Sequence, residues 1–442
     1  MKRGLLRSSG GLCVAIGLFC SPAWAVPPIE HWQAPSGAQV VFVENHDLPM
    51  LDVELSFAAG ASEDPPGKDG VASLTHGLLD LGAGRWDESA LADRLADLGA
   101  VLTGDAGADR ATVGLRTLSE ETARDGALEL LRTVLSQPQF PQPVLERERQ
   151  RSVAALRDAL TKPAVIAART FWSTLYPGHP YGREATERTL GAITRDDLVA
   201  FHRTHYGAQS ASVAIVGDVS RTQAEVLAQR LTEALPGGEA VPQQRPAVAA
   251  VPGERWIAHP SAQAHVLIGM PAMRRSDADF FPLMVGNYTL GSGGFVSRLV
   301  QQVRDRRGLA YNVYSQFAPM TDPGPFEIGL QTKKEQAHEA VQVVREVLSE
   351  FLATGPSDDE LNAAKQFLVG SFPLHLDGNR KLLEQISSIA YYGLPLDYLD
   401  QYTARIEAVT RADVQAAFVR HIQPAALLTV VVGGPAVDAG KE

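Results

Sequence analysis

Histidines are the first residues in this 442-residue chain whose spacing invites chemistry. His76 lies in Gly70-Val71-Ala72-Ser73-Leu74-Thr75-His76-Gly77-Leu78-Leu79, with Asp80 four residues on. His202 and His205 are three apart in a second helical stretch. Side chains at i, i+3 and i+4 share a helix face, so an imidazole and a carboxylate so spaced can reach one ion. Zinc, however, wants about three nitrogen or carboxylate ligands plus a water. His76 with Asp80 falls short of that set, and no carboxylate completes one around His202 and His205. Neither pair is read as a metal site.

The N-terminus sets the compartment. Lys2, Arg3 and Arg7 precede an apolar run from Leu12 to Phe19, followed by Ala23-Trp24-Ala25. A basic start, a short apolar stretch and small residues at −3 and −1 describe a cleavable secretory signal over 1–25, so an exported, periplasmic protein is expected. Both cysteines, Cys13 and Cys20, lie inside that signal. The mature chain then has no disulfide, cysteine nucleophile or thiolate ligand. Removing three basic and no acidic residues takes the formal net charge from −11 to −14. Such a surface argues against nucleic acid and anionic lipid as partners, and no later stretch is long enough to span a bilayer.

The elements that must position any site come in duplicate. Ile193-Thr194-Arg195-Asp196-Asp197-Leu198 opens a helical stretch running into Ala214-Ile215-Val216-Gly217. Val409-Thr410-Arg411-Ala412-Asp413-Val414 opens another, running into Val430-Val431-Val432-Gly433. The same offset of 216 pairs His205 with His421, Tyr176 with Tyr392 and Leu145 with Leu361. It also pairs Leu128, Leu131 and Leu135 with Val344, Val347 and Phe351. An offset held over so long a stretch marks a duplicated unit. In each unit alternating strands come first (Val41, Val43, then Val53, Leu55, Phe57), helices follow, and a β-branched strand closes. That order predicts an α+β fold in two duplicated halves, each an antiparallel sheet with helices on one side. The expected halves are 26–235 and 254–436, joined by a proline- and glycine-rich linker over 236–253.

The segment around His76 resembles the zinc-binding segment of the pitrilysin (insulinase-like) peptidases. There an inverted motif, H-x-x-E-H, supplies two histidine ligands and a glutamate that activates water. Matched position by position, the first histidine is Ser73, the glutamate is His76 and the second histidine is Gly77. The family's third ligand, a glutamate further on, falls on Ala154 in a helix expected over 149–160. None of the four keeps its side chain, so the resemblance implies a fold without metal of its own. No cofactor is expected on this chain.

The second half keeps what the first has lost. Gly293-Gly294-Phe295-Val296-Ser297-Arg298-Leu299, then Arg304 and Gly308-Leu309-Ala310-Tyr311, is similar to the family's G-G-F-x-S-R-L…R-x-x-x-G-L-x-Y segment. The likeness covers essentially the whole mature chain, including His179-Pro180-Tyr181-Gly182. In active members an arginine and a tyrosine so spaced reach across the cavity to the substrate. The implied roles of Arg304 and Tyr311 are to hold the peptide main chain and stabilise charge on the scissile carbonyl. Some small members pair two chains, one with the motif and one without it. The resemblance therefore implies a heterodimer with a homologous zinc-bearing subunit, acting on peptides. A non-catalytic peptide-binding or scaffold protein of the same fold is the alternative, and hydrolysis by this chain alone is not expected.

Overall fold

The protein's computed structural model describes residues 28–237 and 245–433; the expected signal segment lies outside them. The first half contains β1 (Glu30–Gln33), β2 (Gln39–Glu44), β3 (Met50–Phe57), α1 (Val71–Gly77), α2 (Glu88–Asp97), β4 (Val101–Ala106) and β5 (Ala111–Leu118). Then come α3 (Glu121–Ser136), α4 (Gln142–Ala159), α5 (Pro163–Leu175), α6 (Glu187–Ala192), α7 (Arg195–His205), β6 (Ser212–Gly217) and α8 (Arg221–Thr232). The second half runs β7 (Gly253–Ile257), β8 (Gln263–Met273), α9 (Phe280–Asn287), β9 (Asn312–Phe317) and β10 (Gly324–Lys333). It ends with α10 (Ala337–Thr354), α11 (Asp358–Ser371), α12 (Asn379–Tyr392), α13 (Tyr398–Ala408), α14 (Arg411–His421) and β11 (Leu428–Val432).

The fold is α+β, with one sheet per half. Strand order is β1-β2-β6-β3-β5-β4 in one and β7-β11-β8-β10-β9 in the other. Set β1 aside and the two orders coincide. In each, the closing strand lies parallel to the opening one and antiparallel to the next.

The closing strands carry no polar alternation because both faces are covered. β6 and β11 are buried along their whole length. In β2, Val40 and Phe42 join the core of their own half, while Val41 and Val43 face the other half's core. What covers those faces is exchanged between halves. Leu382, Leu383, Ile386 and Ile389 of α12 pack with Val41, Val43, Ala214 and Val216 of the first sheet. Reciprocally, Phe171 and Leu175 of α5 pack with Leu428, Val430 and Val432 of the second. Each buried aliphatic or aromatic side chain contributes about 1.5–3 kcal/mol. The exchange thus makes each half's core depend on the other.

The repeated Thr-Arg-x-Asp string has a mechanical explanation. Thr194 and Thr410 are N-caps that form capping boxes with Asp197 and Asp413. Arg195 Nε then donates to Phe140 O (3.0 Å), as Arg411 Nε does to Pro356 O (2.7 Å). At the far end of each helix a histidine Nδ1–H reaches a carbonyl, His205 to Ala58 at 3.1 Å and His421 to Ala272 at 3.0 Å. A cap, a strap and an anchor fix each helix at both ends.

Arg245 ties the halves at the seam. It donates to Glu63 (2.6 Å) and Ser62 (3.0 Å) of the first half and to Asp322 (3.3 Å) of the second. Asp109 accepts from the Tyr181 hydroxyl and from Thr321 N at 2.8 Å. Tyr181, from the His179-Pro180-Tyr181-Gly182 string, also accepts from Asp322 N at 3.0 Å. Burial and the neighbouring Asp109 push its phenol well above the ordinary value, so it stays a donor. Among the described residues no helix is long and apolar enough to cross a membrane.

Candidate functional site

Helix α1 starts where the chain turns at Gly70, whose φ of +109° lies in the left-handed region that favours glycine. Asp64 caps it, accepting from Gly70 N at 2.6 Å and Ala72 N at 2.7 Å. Val71, Ala72, Leu74 and Thr75 are buried, which leaves Ser73 and Gly77 facing outward. The helix ends at Gly77, so Asp80 lies beyond it and the helical His76–Asp80 relation expected above does not hold. Ala154 is exposed on α4, which packs against α1 and begins at Gln142, earlier than the expected 149.

His76 points inward, to the sheet. Its Nε2–H donates to the carbonyl of Thr112 in β5 at 2.8 Å. Space for the ring exists because β4 carries Gly104 opposite, with φ +148°. A Cβ there would meet Thr112 O at 2.1 Å and His76 Nε2 at 2.9 Å. The imidazole is a tie between helix and sheet. At Gly77, by contrast, a Cβ would meet nothing within 4 Å.

The scaffold therefore brings the four motif positions onto two packed helices, but the groups there are a hydroxyl, a ring with its Nε2 occupied, bare backbone and a methyl. They do not fit zinc. His202 and His205 share no ligand either: His202 Nε2 is 2.8 Å from Leu135 O, while His205 is bound to Ala58 O. Burial lowers the proton affinity of both rings. Asp277, Asp279 and His421 form the one His/Asp/Glu group among the described residues with donor atoms close together. There His421 Nε2 lies 2.9 Å from Asp279, Nδ1 is on Ala272 O, and Arg420 also binds Asp279. Both ring nitrogens and the Asp279 carboxylate already have protein partners, which makes this a side-chain hydrogen-bond network at a helix end.

In the second half the glycine-rich segment builds a shaped turn. Gly294 has φ +61°, and Ser297 Oγ donates back to its carbonyl at 2.7 Å. Arg298 makes a bidentate pair with Glu360, both contacts 2.7 Å, and donates to Gly355 O at 2.9 Å. Leu299, Val303 and Leu309 are buried. Between them Val300–Asp305 winds as a π-helix, a form that often marks functional positions. These anchors leave three side chains free to face outward. Arg304 is held between two rings, with its guanidinium carbon 4.9 Å from the Phe295 centroid and 5.6 Å from that of Tyr311. Phe295 is 71% and Tyr311 80% exposed. Among the described residues the guanidinium faces rings rather than carboxylates. A cation so placed keeps its N–H groups available to a ligand. Phe295 was visible in the sequence only as a letter of the motif; its role as a stacking partner needed the fold.

A polar cleft of about 490 Å³, unmarked by any sequence motif, opens beside the His76 tie. Strands β3, β4 and β5 and helix α12 line it, with Thr112 and Gly104 at the His76 side. Arg116 pairs bidentately with Asp52 inside it, at 2.7 and 3.2 Å. Glu54, which accepts from Ser387, has its proton affinity raised chiefly by burial.

The description "Insulinase (Peptidase family M16)" matches residues 39–187, and "Peptidase M16 inactive domain" matches 192–368. The non-peptidase homolog YmxG of Helicobacter pylori is 27% identical over 405 residues, which is 90% of this chain and 92% of that one. The crystal structure of a peptidase M16 inactive domain from Pseudomonas fluorescens aligns with a TM-score of 0.88 at 35% identity, over 92% of this chain and 98% of that one. The periplasmic protease PqqL of Escherichia coli shares the fold, with a TM-score of 0.79 at 15% identity. The match takes in 98% of this chain but 49% of PqqL.

Proposed function

Since the chain belongs to the insulinase (M16) peptidase family yet offers no zinc-ligand set at the motif, we propose that it is the non-zinc-binding subunit of a heterodimeric peptidase. A homologous subunit carrying H-x-x-E-H supplies the metal, and this chain supplies Arg304 and Tyr311 to a shared peptide-degrading chamber. One observation carries the reading: motif side chains that cannot bind zinc coexist with an arginine held outward between Phe295 and Tyr311. A guanidinium with free N–H groups beside an exposed phenol can donate to a peptide carbonyl and to the charge that develops on it. Two such donors, offered to a substrate held by another subunit, orient it and stabilise its transition state without contributing a nucleophile. The signal-like N-terminus supports a periplasmic location for the complex.

The non-peptidase relative favours a second reading, in which the same chamber binds peptides without cleaving them. Purification of the full chain with whatever accompanies it separates the two. The heterodimer predicts an H-x-x-E-H homologue in the mixture, with zinc and peptidase activity present only there. A preparation of this chain alone that holds stoichiometric zinc and hydrolyses peptides would sink both.

A further inference from the structure

The duplication shows one surface that has changed its chemistry. Helices α4 and α11 are twins by the offset of 216, which carries Leu145 onto Leu361 and the strap carbonyl of Phe140 onto that of Pro356. On their outer faces the same offset sets Ala363 at Arg147, Phe367 at Arg151 and Gly370 at Ala154. In α4 this face is charged and paired within itself. Arg147 lies 2.6 Å from Glu148, and Arg151 lies 2.8 Å from the same carboxylate. In α11 none of the three positions is charged, and the Phe367 ring is 53% exposed.

That ring does not stand alone. Phe367 lies on Tyr288, with ring centroids 4.9 Å apart. Gly293 packs on the same tyrosine, where a Cβ would come to 3.0 Å from the ring. Two residues further on, exposed Phe295 meets the Arg304 guanidinium, whose other neighbour is Tyr311. A continuous path therefore runs from Tyr311 through Arg304, Phe295 and Tyr288 to Phe367, aromatic throughout except for one cation. Exposed rings gathered in this way mark a surface that meets something else. The position of Arg304 says what. A peptide whose carbonyl it holds must lay the adjoining side chain against a neighbour of the guanidinium, and both neighbours are rings.

We propose that this path is a binding site for bulky apolar side chains of a peptide. Phe295 takes the side chain beside the carbonyl that Arg304 holds, and the Tyr288–Phe367 pair takes a second one further along. Hydrogen bonds to a main chain are the same for every sequence, whereas surfaces that receive side chains select among them. Aromatic and branched aliphatic residues bury the most apolar area on such rings, so the peptide class is the kind of segment a folded protein keeps inside. The inference rests on the reading of Arg304 as a main-chain holder and adds to it a choice of sequence.

The probes are two labelled octapeptides, capped at both ends, alike except that one carries two phenylalanines where the other carries two serines. Fluorescence anisotropy with the full chain measures both. The phenylalanine peptide should bind saturably and about tenfold or more tightly than the serine peptide. Phe295→Ala and Phe367→Ala should each reduce that ratio several-fold, and so should Phe367→Arg, which installs the residue of the twin helix. These side chains lie on the surface, so urea midpoints should stay where they are. Arg304→Ala should weaken both peptides alike and leave the ratio intact. Equal binding of the two peptides, or a ratio indifferent to the ring variants, overturns the proposal and leaves the main-chain role of Arg304 standing. An Arg304→Ala protein that binds both peptides undiminished, with the rings still setting the ratio, removes that role and upholds the apolar site. Self-association of the full chain that Phe367→Arg disperses makes the path a contact between copies, and overturns the proposal.

Discussion

His76 Nε2 lies 2.8 Å from the carbonyl oxygen of Thr112. At the position where a peptidase of this family keeps its glutamate, this chain spends the side chain on joining a helix to a sheet. Glutamate could not take that bond, because an ionised carboxylate only accepts, and the facing group is also an acceptor. The substitution is therefore a structural commitment as well as a loss.

Breaking the tie should cost stability rather than function. His76→Ala leaves a half-buried carbonyl without its donor and should destabilise the protein by about 1–3 kcal/mol. Urea unfolding measures this, with the metal content unchanged.

Metal binding should be recoverable, because the scaffold survives. Ser73 and Gly77 lie one turn apart and exposed, and nothing within 4 Å obstructs a side chain at Gly77. The variant Ser73→His/Gly77→His/Ala154→Glu, with the His76 tie kept, should take up one zinc per chain. Zinc uptake should bring no peptide hydrolysis with it, since no glutamate activates the water. Elemental analysis after dialysis decides; a metal-free variant would mean that α1 and α4 do not present these positions to one ion.

In the mixed complex, Arg304→Ala and Tyr311→Phe should each lower turnover on the order of 10²–10³-fold, with assembly unchanged by sedimentation. Arg304→Lys should recover little, because a point charge does not replace a planar fork. Full activity of both variants would remove these residues from the shared site.

The seam should respond to one residue. Replacing Arg245 by Met leaves Glu63, Asp109 and Asp322 without their common cation in a largely buried place, a loss of about 3–5 kcal/mol. Because the exchanged helices couple the cores, unfolding should remain a single transition shifted to lower urea. Two separated transitions would contradict the coupling.

A pH effect should trace to Asp64. Burial pushes its carboxyl up to about 6 from 3.8, against the lowering influence of the Gly70 and Ala72 amides. The folded state then holds the proton more tightly than the unfolded chain. The stabilisation linked to that proton is complete below pH 3.8 and is lost as pH rises through about 6. Unfolding free energies measured from pH 4 to 7 should carry this downward component, and Asp64→Asn should remove it. An identical slope in both proteins would refute the assignment.

Much of this protein was legible in one dimension. The offset of 216 reports two copies of one unit because the caps, straps and apolar stripes that fix a helix are local, and local needs recur when a unit is copied. The replacement of the zinc-ligand residue types at the motif positions was equally visible, since ligand identity at i, i+3 and i+4 is a property of residue types. Arg304 and Tyr311 could be singled out by their flanks alone.

Tertiary structure decided everything that depends on residues far apart meeting. No periodicity foretells that α12 covers the first sheet and α5 the second, since an apolar stripe records that a face is buried and not against what. Nor could the sequence show that Arg304 rests beside Phe295 and Tyr311, or that Arg245 gathers carboxylates from both halves. Pattern sets what each element requires. Only chain topology settles which distant partner meets the requirement.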